Sequence, residues 1–239
     1  MRKKNRKNYE TREIYLDINF SKNADGSCLV NYGNTKVICT ASIDEDIPKW
    51  LKIKKTGWVT AEYSMLPGST NSRNKRESKI GKQTGRTVEI QRLIGRSLRS
   101  VLNLKILDGY QIIIDCDVLQ ADGGTRTASI TGGFVALHLA VNKLLEKGNI
   151  KNSPILDYVA AISCGVINKK VLVDLDYEED SRADVDANFV ITQNSGFSEI
   201  QISGEENTFS VELTQEMIEQ SNEVVKKIFE IQKNAIDSK

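Results

Sequence analysis

One histidine in 239 residues leaves imidazole little part in the chemistry of this chain. It is His138, set in Phe134-Val135-Ala136-Leu137-His138-Leu139-Ala140, where it reads as a satisfied core side chain rather than a ligand. Cysteine is scarce too, and Cys28, Cys39, Cys116 and Cys164 form no Cys-x-x-Cys pair. That pattern speaks against structural zinc and for buried, reduced thiols. No Gly-x-x-x-x-Gly-Lys-Ser/Thr sequence occurs, which removes the P-loop route to ATP. No apolar run reaches 18 residues, so no membrane-spanning helix is expected. The opening Met1-Arg2-Lys3-Lys4-Asn5-Arg6-Lys7 is basic but lacks the apolar segment of a secretory signal. A cytoplasmic protein without membrane contact is the expectation. Net charge is nearly absent as well, at +1.

That small total hides a strong asymmetry. Between Lys49 and Lys105 fourteen Lys or Arg face only Glu62, Glu77 and Glu89, a surplus of eleven positive charges. Asp174–Asp186 holds seven acids (Asp174, Asp176, Glu178, Glu179, Asp180, Asp184, Asp186) and one base, Arg182. A basic region gathers a polyanion, while a tight acidic cluster serves chemistry or a metal. Residues 67–82 lie inside the basic region and have no apolar periodicity. They predict a long polar loop whose Arg73, Lys75, Arg76 and Lys79 suit the phosphates of a polyanion, the plainer reading being a flexible solvated excursion.

The most informative stretch is Asp122-Gly123-Gly124-Thr125-Arg126-Thr127-Ala128-Ser129, which runs into an apolar helical pattern. Two glycines let the backbone approach a ligand, and the following helix offers unpaired N–H groups. Thr125, Thr127 and Ser129 add hydroxyls, and Arg126 adds a fork matched to phosphate oxygens. Together they predict a phosphate cradle. A second glycine-rich entrance, 81–87, places Arg86 at the start of another helix. Along that helix Arg92, Arg96 and Arg99 recur on one face, with Ile90, Ile94, Leu98 and Val101 opposite. The arginine face serves the anion site, solvation or salt bridges between subunits.

Strands and helices read as one compact αβ unit. Cys28–Tyr32 and Thr35–Ile43 predict a hairpin around Gly33-Asn34. Trp58–Leu66 and Tyr110–Leu119 are further strands, the second with Ile113, Asp115 and Asp117 on its polar face. A helix from about Ala128 to Glu146 follows, then strands near Leu156–Val166, Val171–Asp176, Ala187–Thr192 and Glu199–Ile202. Thr214 is the expected N-cap of a last helix over 214–235, buried through Met217, Ile218, Val224, Val225, Ile228 and Phe229. The Val171, Val173, Leu175 alternation puts Asp174 and Asp176 on the opposite strand face, with Asp180 in the turn beyond. Asp184 and Asp186 share a side of the next strand. Such carboxylates hold Mg²⁺ or supply a general acid.

Four stretches closely resemble the ribonuclease PH family: Gly57-Trp58-Val59-Thr60-Ala61-Glu62-Tyr63-Ser64-Met65-Leu66-Pro67, Gly85–Arg96, Asp115–Thr127 and Leu175–Ser181. They occur in the family's order, and the likeness runs from about Arg2 to Ile231. The resemblance implies an α+β fold (ribosomal protein S5 domain 2-like), with two β-α halves in a single domain over 1–239, mixed sheets packed on helices. It implies a phosphate-dependent 3′→5′ exoribonuclease that trims tRNA precursors and other single-stranded RNA 3′ ends, and that assembles as a hexamer, a trimer of dimers. It selects Asp180 and Asp186 as the catalytic and metal-holding pair. Inorganic phosphate as co-substrate falls to Arg86, Gly124, Thr125 and Arg126, and RNA to Arg73, Arg76, Arg92, Arg96 and Arg99. A non-catalytic RNA-binding ring subunit of the same fold is the alternative. A small-molecule kinase would leave the basic loop and helix unexplained, and a hydrolytic nuclease would leave two phosphate-binding arginines without purpose.

Overall fold

The computed structural model describes Arg2 and residues 5–238. Met1, Lys3 and Lys4 of the basic N-terminal run lie outside the described residues. Two sheets share one continuous apolar core. The first begins with β1 (Ile14–Ile18), β2 (Gly26–Tyr32) and β3 (Thr35–Asp44). The turn between β2 and β3 is the expected Gly33-Asn34, and Tyr32 pairs with Thr35 across it. A short helix α1 (Lys49–Lys54) precedes β4 (Trp58–Met65). Within the basic loop one turn of helix, α2 (Glu77–Ile80), interrupts what the sequence reads as irregular chain. Helix α3 (Gly85–Arg99) follows, capped by Thr84 accepting from the Thr87 N–H. The strand β5 (Gln111–Gln120) then enters between β3 and β4. It is antiparallel to β3 and parallel to β4, giving the order β1-β2-β3-β5-β4.

Helix α4 (Thr125–Glu146) lies between the two sheets. By length and composition it is apolar enough to cross a membrane, but 78% of that stretch is buried inside the protein. Both faces of such a helix are apolar because both faces are covered. His138 lies on it between the rings of Phe134 and Tyr158, each 6.0 Å away. The core reading of His138 holds for packing but not for hydrogen bonding. Its Nδ1 has no hydrogen-bond partner among the described residues, and burial holds the imidazole below its ordinary pKa.

The second sheet contains β6 (Val159–Ile167), β7 (Lys170–Val173), β8 (Val185–Thr192) and β9 (Gly196–Gly204) in the order β7-β6-β8-β9, with α5 (Tyr177–Asp180) between β7 and β8. It is antiparallel throughout, so only the first sheet is mixed. Helix α6 (Val211–Asp237) closes the far side of β6. Its N-cap is Ser210, accepting from the Leu213 N–H, not Thr214. Thr214 sits inside the first turn and donates its hydroxyl back to the Ser210 carbonyl. The four cysteines are free and buried, as expected.

Candidate active site

After β5 the chain turns through Asp122-Gly123-Gly124 into α4, at the end of the sheet where β4 also finishes. Gly123 (φ 78°) and Gly124 (φ 66°) are both left-handed, the conformation glycine adopts without penalty. A Cβ on Gly123 would stand 2.5 Å from the Leu175 carbonyl oxygen and 2.7 Å from the Asp176 carbonyl carbon. The turn therefore presses on the chain leading into α5. Gly124 caps α4 with no side chain, so the helix starts at Thr125, three residues before the sequence estimate. Its first-turn amides are left to an outside acceptor, and anions suit that position.

The hydroxyls divide. Thr125 is largely buried, its Oγ1 lying 2.9 Å from the Tyr63 hydroxyl. Thr127 and Ser129 are buried and donate to the carbonyls of Gly124 (2.9 Å) and Thr125 (2.8 Å). The expectation that these two reach phosphate is corrected. A small hydroxyl inside a helix finds its acceptor one turn back.

Arg126 reaches across to both neighbouring elements. Its Nη1 donates to Glu89 Oε1 of α3 (3.2 Å) and Gln201 Oε1 of β9 (2.8 Å). Gln201 in turn donates to Glu89 (3.1 Å). Arg86, exposed at the start of α3, carries no such tie among the described residues. Both guanidiniums act on the same acids. Asp180 ends α5 and keeps solvent access, but the protein around its carboxyl raises its pKa by desolvation, against the pull of Arg86 and Arg126. Asp186 stands half-buried on β8, and desolvation followed by repulsion from Asp180 raises it too. Glu205 adds to both shifts. Two carboxyls and two guanidiniums thus converge beside an open helix N-terminus.

Other acids of the stretch have structural work. The strand β7 ends at Val173, so the alternation does not reach Asp174 and Asp176. Asp174 turns left-handed (φ 58°) and is buried against Arg12 at 2.7 Å. Asp176 is the N-cap of α5 and shares a capping box with Glu179. Asp184 is exposed and accepts from the Asn168 N–H.

A cavity of about 900 Å³ is lined by Tyr63, Lys75, Arg76, Lys82, Arg86, Asp115 and Asp117; it meets the site through Arg86 and Tyr63, while Gly123–Arg126, Asp180 and Asp186 lie outside its lining. Burial comes first in raising the Asp115 and Asp117 carboxyls, with Glu62 adding to it. Arg73 and Arg76 are exposed on the loop, as its composition predicts. The arginine face of α3 is less uniform. Arg92 is exposed, and Arg96 is exposed but paired with Glu199 at 3.0 Å. Arg99 stacks 4.3 Å above the Trp58 ring and donates to the Val59 carbonyl (2.7 Å). Its guanidinium is engaged in holding α3 on β4, which weighs against the RNA role read for it. Sequence reasoning missed Arg2, Arg6, Arg12, Glu179 and Gln201, whose spacing shows no period and whose partners are distant in sequence.

Comparison with known proteins agrees with this geometry. Residues 10–141 match the model of the 3′ exoribonuclease family, domain 1, and residues 157–224 match domain 2. A protein named Ribonuclease PH from Caulobacter vibrioides is 50% identical over 236 residues, 99% of each chain. One of the same name from Neisseria meningitidis serogroup C is 52% identical over 227 residues, 95% of this chain and 94% of its own. Among solved structures, rice (Oryza sativa) Rrp46 superposes with a TM-score of 0.80 at 18% identity, covering 98% of this chain and all of that one. The Archaeoglobus fulgidus exosome with RNA bound to the active site gives 0.76 at 21% identity, covering 94% and 90%. These two establish the fold. Matched along both halves and half-identical to its relatives end to end, the chain belongs to the ribonuclease PH family of 3′ exoribonucleases.

Proposed function

We propose that the protein is a phosphate-dependent 3′→5′ exoribonuclease that trims 3′ extensions of tRNA precursors, releasing nucleoside 5′-diphosphates. The observation that carries this reading is the convergence of Arg86, Arg126 and the open N-terminus of α4 on Asp180 and Asp186. A nuclease using water needs no site for a free phosphate dianion; a phosphorolytic one does. Inorganic phosphate bound by Arg86, Arg126, Thr125 and the amides after Gly124 attacks the last phosphodiester phosphorus. The bond to the preceding 3′-oxygen breaks, that oxygen takes a proton, and the nucleotide leaves as its diphosphate. A phosphoanhydride bond in the diphosphate replaces the phosphodiester bond at nearly equal energy, so nucleotides add in reverse when phosphate is scarce. Repulsion between two anions is the main obstacle, and fixed positive charge and alignment answer it.

The departing 3′-oxygen needs a proton or a cation, and Asp180 and Asp186 are the groups assigned here to supply either. Mg²⁺ is commonly held by one or two carboxylates plus waters and substrate phosphate. Asp180 and Asp186 would be the two carboxylates of such a site. Bound there, Mg²⁺ would neutralise charge developing on the leaving oxygen.

The tRNA body is gathered by the 67–82 loop. Replacing Arg73 and Arg76 together by Ala lowers the salt dependence of tRNA binding by about two units of log–log slope. Filter binding across a salt series reads this directly, and an unchanged slope removes the loop from the interface. The chain works as one domain within a homohexamer built as a trimer of dimers. Trp50 and Ile53 on α1, exposed in the single chain, supply apolar surface for such contacts. Four reduced thiols suit the cytoplasm.

The test is incubation of 3′-extended tRNA and Mg²⁺ with and without inorganic phosphate. Nucleoside diphosphates are expected only with phosphate. Monophosphates in both reactions mean hydrolysis and overturn the reading; tight binding without product means a scaffold subunit.

A further inference from the structure

The two working parts of this site are held by little of their own. The element bearing Asp180, α5, is a single turn of four residues, and the phosphate turn contains two left-handed glycines. The Tyr177 N–H reaches Asp122 Oδ1 and the Asp174 and Leu175 amides bond Ser163, and to these ties a segment from the far end of the chain adds its side chains. Arg12 is buried under the phosphate turn. Its Nη1 donates to the Asp122 carbonyl, and its Nη2 to that of Gly123 at 3.4 Å. The same guanidinium grips Asp174 through Nε (3.0 Å) and Nη2 (2.7 Å), while the Arg12 N–H donates to Asp174 Oδ2. Thr35 completes this side, accepting from the Asp122 N–H and donating to the Gly123 carbonyl.

Arg2 and Arg6 hold the other part. Arg2 forks onto Glu179 through Nε (2.7 Å) and Nη2 (2.9 Å), and donates to the carbonyls of Val173 and Asp174. Arg6 donates to the Asp174 carbonyl (2.9 Å) and to Glu179 Oε2 (3.0 Å). Glu179 also accepts from the Asp176 N–H and so closes the cap of α5, one residue before Asp180. Burial alone would raise the Glu179 carboxyl, but bonds from Arg2 and the Asp176 amide bring it below its ordinary value. Three guanidiniums therefore meet two enclosed carboxylates, and the bonds are the charge-assisted, geometrically fixed kind.

We propose that Arg2, Arg6 and Arg12 form a positioning strap that fixes the Asp180 turn and the phosphate turn at one mutual distance. The proposal rests on the functional reading above. None of the three touches substrate in it; they act through Glu179, Asp174 and the carbonyls of Asp122 and Gly123. Alignment of nucleophile, phosphorus and leaving-group acid within about 1 Å is worth roughly 100-fold in rate, and both ends of that alignment rest on this segment.

Glu179→Gln and Arg12→Lys test it. The first keeps the shape of Glu179 and an oxygen for the cap, but removes the charge that Arg2 and Arg6 grip. Its kcat at saturating phosphate is expected to fall about 10- to 100-fold, with phosphate KM and RNA affinity nearly unchanged. Arg12→Lys keeps the charge and loses the fork, so phosphate KM rises along with the loss in kcat. Arg12 is buried enough that its substitution endangers the fold; Glu179→Gln lies nearer the surface and carries the test alone. A lowered unfolding midpoint with wild-type kcat and KM would reduce the strap to ordinary ion pairs and overturn the proposal. RNA affinity lost in step with kcat overturns it too. Absence of phosphate-dependent turnover in the wild-type protein is a separate result and sinks the functional reading instead.

Discussion

Arg126→Ala and Arg86→Ala are each expected to cut phosphate-dependent release of nucleoside diphosphates by about 10²–10³-fold, with RNA affinity almost unchanged. In the proposed mechanism phosphate is the reactant these side chains serve. It must be brought against a phosphodiester that repels it, and a guanidinium offers both charge and a planar fork to its oxygens. The two arginines come from different elements, α3 and the first turn of α4, so either loss leaves a half-clamp. Arg126 donates to Glu89 and Gln201, and in the proposed mechanism phosphate takes their place as acceptor. Arg126→Lys should recover little, because a point charge cannot span two oxygens. Initial rates over phosphate and RNA concentrations, with RNA affinity measured separately, check this. RNA binding lost in parallel with rate would place the arginines on the polynucleotide and break the clamp assignment.

How much of this could be read without coordinates depends on how local each signal is. The Gly33-Asn34 hairpin, the amphipathic face of α3 and the glycine turn into α4 are written within a few residues of themselves, and they stand as read. Local rules fail where two candidates compete at short range. Ser210 and Thr214 are both good caps, and only the packing of α6 decides between them. They fail again where a partner is distant. The alternation through Val171 and Val173 says strand, but Arg12, far off in sequence, draws Asp174 into a left-handed turn and ends β7 early. Arg99 fits an arginine stripe by spacing, yet the Trp58 ring claims it. The functional pair is the instructive case: Asp180 and Asp186 were selected by family resemblance, since composition alone could not separate them from five other acids nearby. Fold narrows the choice, because Asp174, Asp176 and Glu179 are consumed by arginines and caps and Asp184 accepts from the Asn168 N–H.

Asp180→Asn and Asp186→Asn are expected to lower kcat by about 10²–10⁴-fold while leaving the protein at least as stable as the wild type at neutral pH. Both carboxyls carry raised pKa values, caused first by desolvation and, for Asp186, next by Asp180 itself. A carboxyl raised on folding binds more protons folded than unfolded between its two pKa values. Stability therefore falls as pH rises through that window. Asparagine cannot ionise and escapes this cost. The variants' stability relative to wild type should thus be smallest below the ordinary carboxyl range and grow as pH passes the raised values, which urea midpoints over a pH series measure. An ordinary structural acid behaves the other way, losing midpoint on substitution. The pH profile of kcat then separates the two chemistries open to the pair. If it holds Mg²⁺, protons compete with the metal, and the Mg²⁺ needed for half-maximal rate rises as pH falls. If Asp180 donates the proton to the leaving oxygen, kcat instead declines as pH rises through its raised value, at any Mg²⁺ concentration. A kcat unchanged at saturating phosphate, with only phosphate KM moved, would put the acids in the binding of phosphate and take them out of the step that breaks the chain.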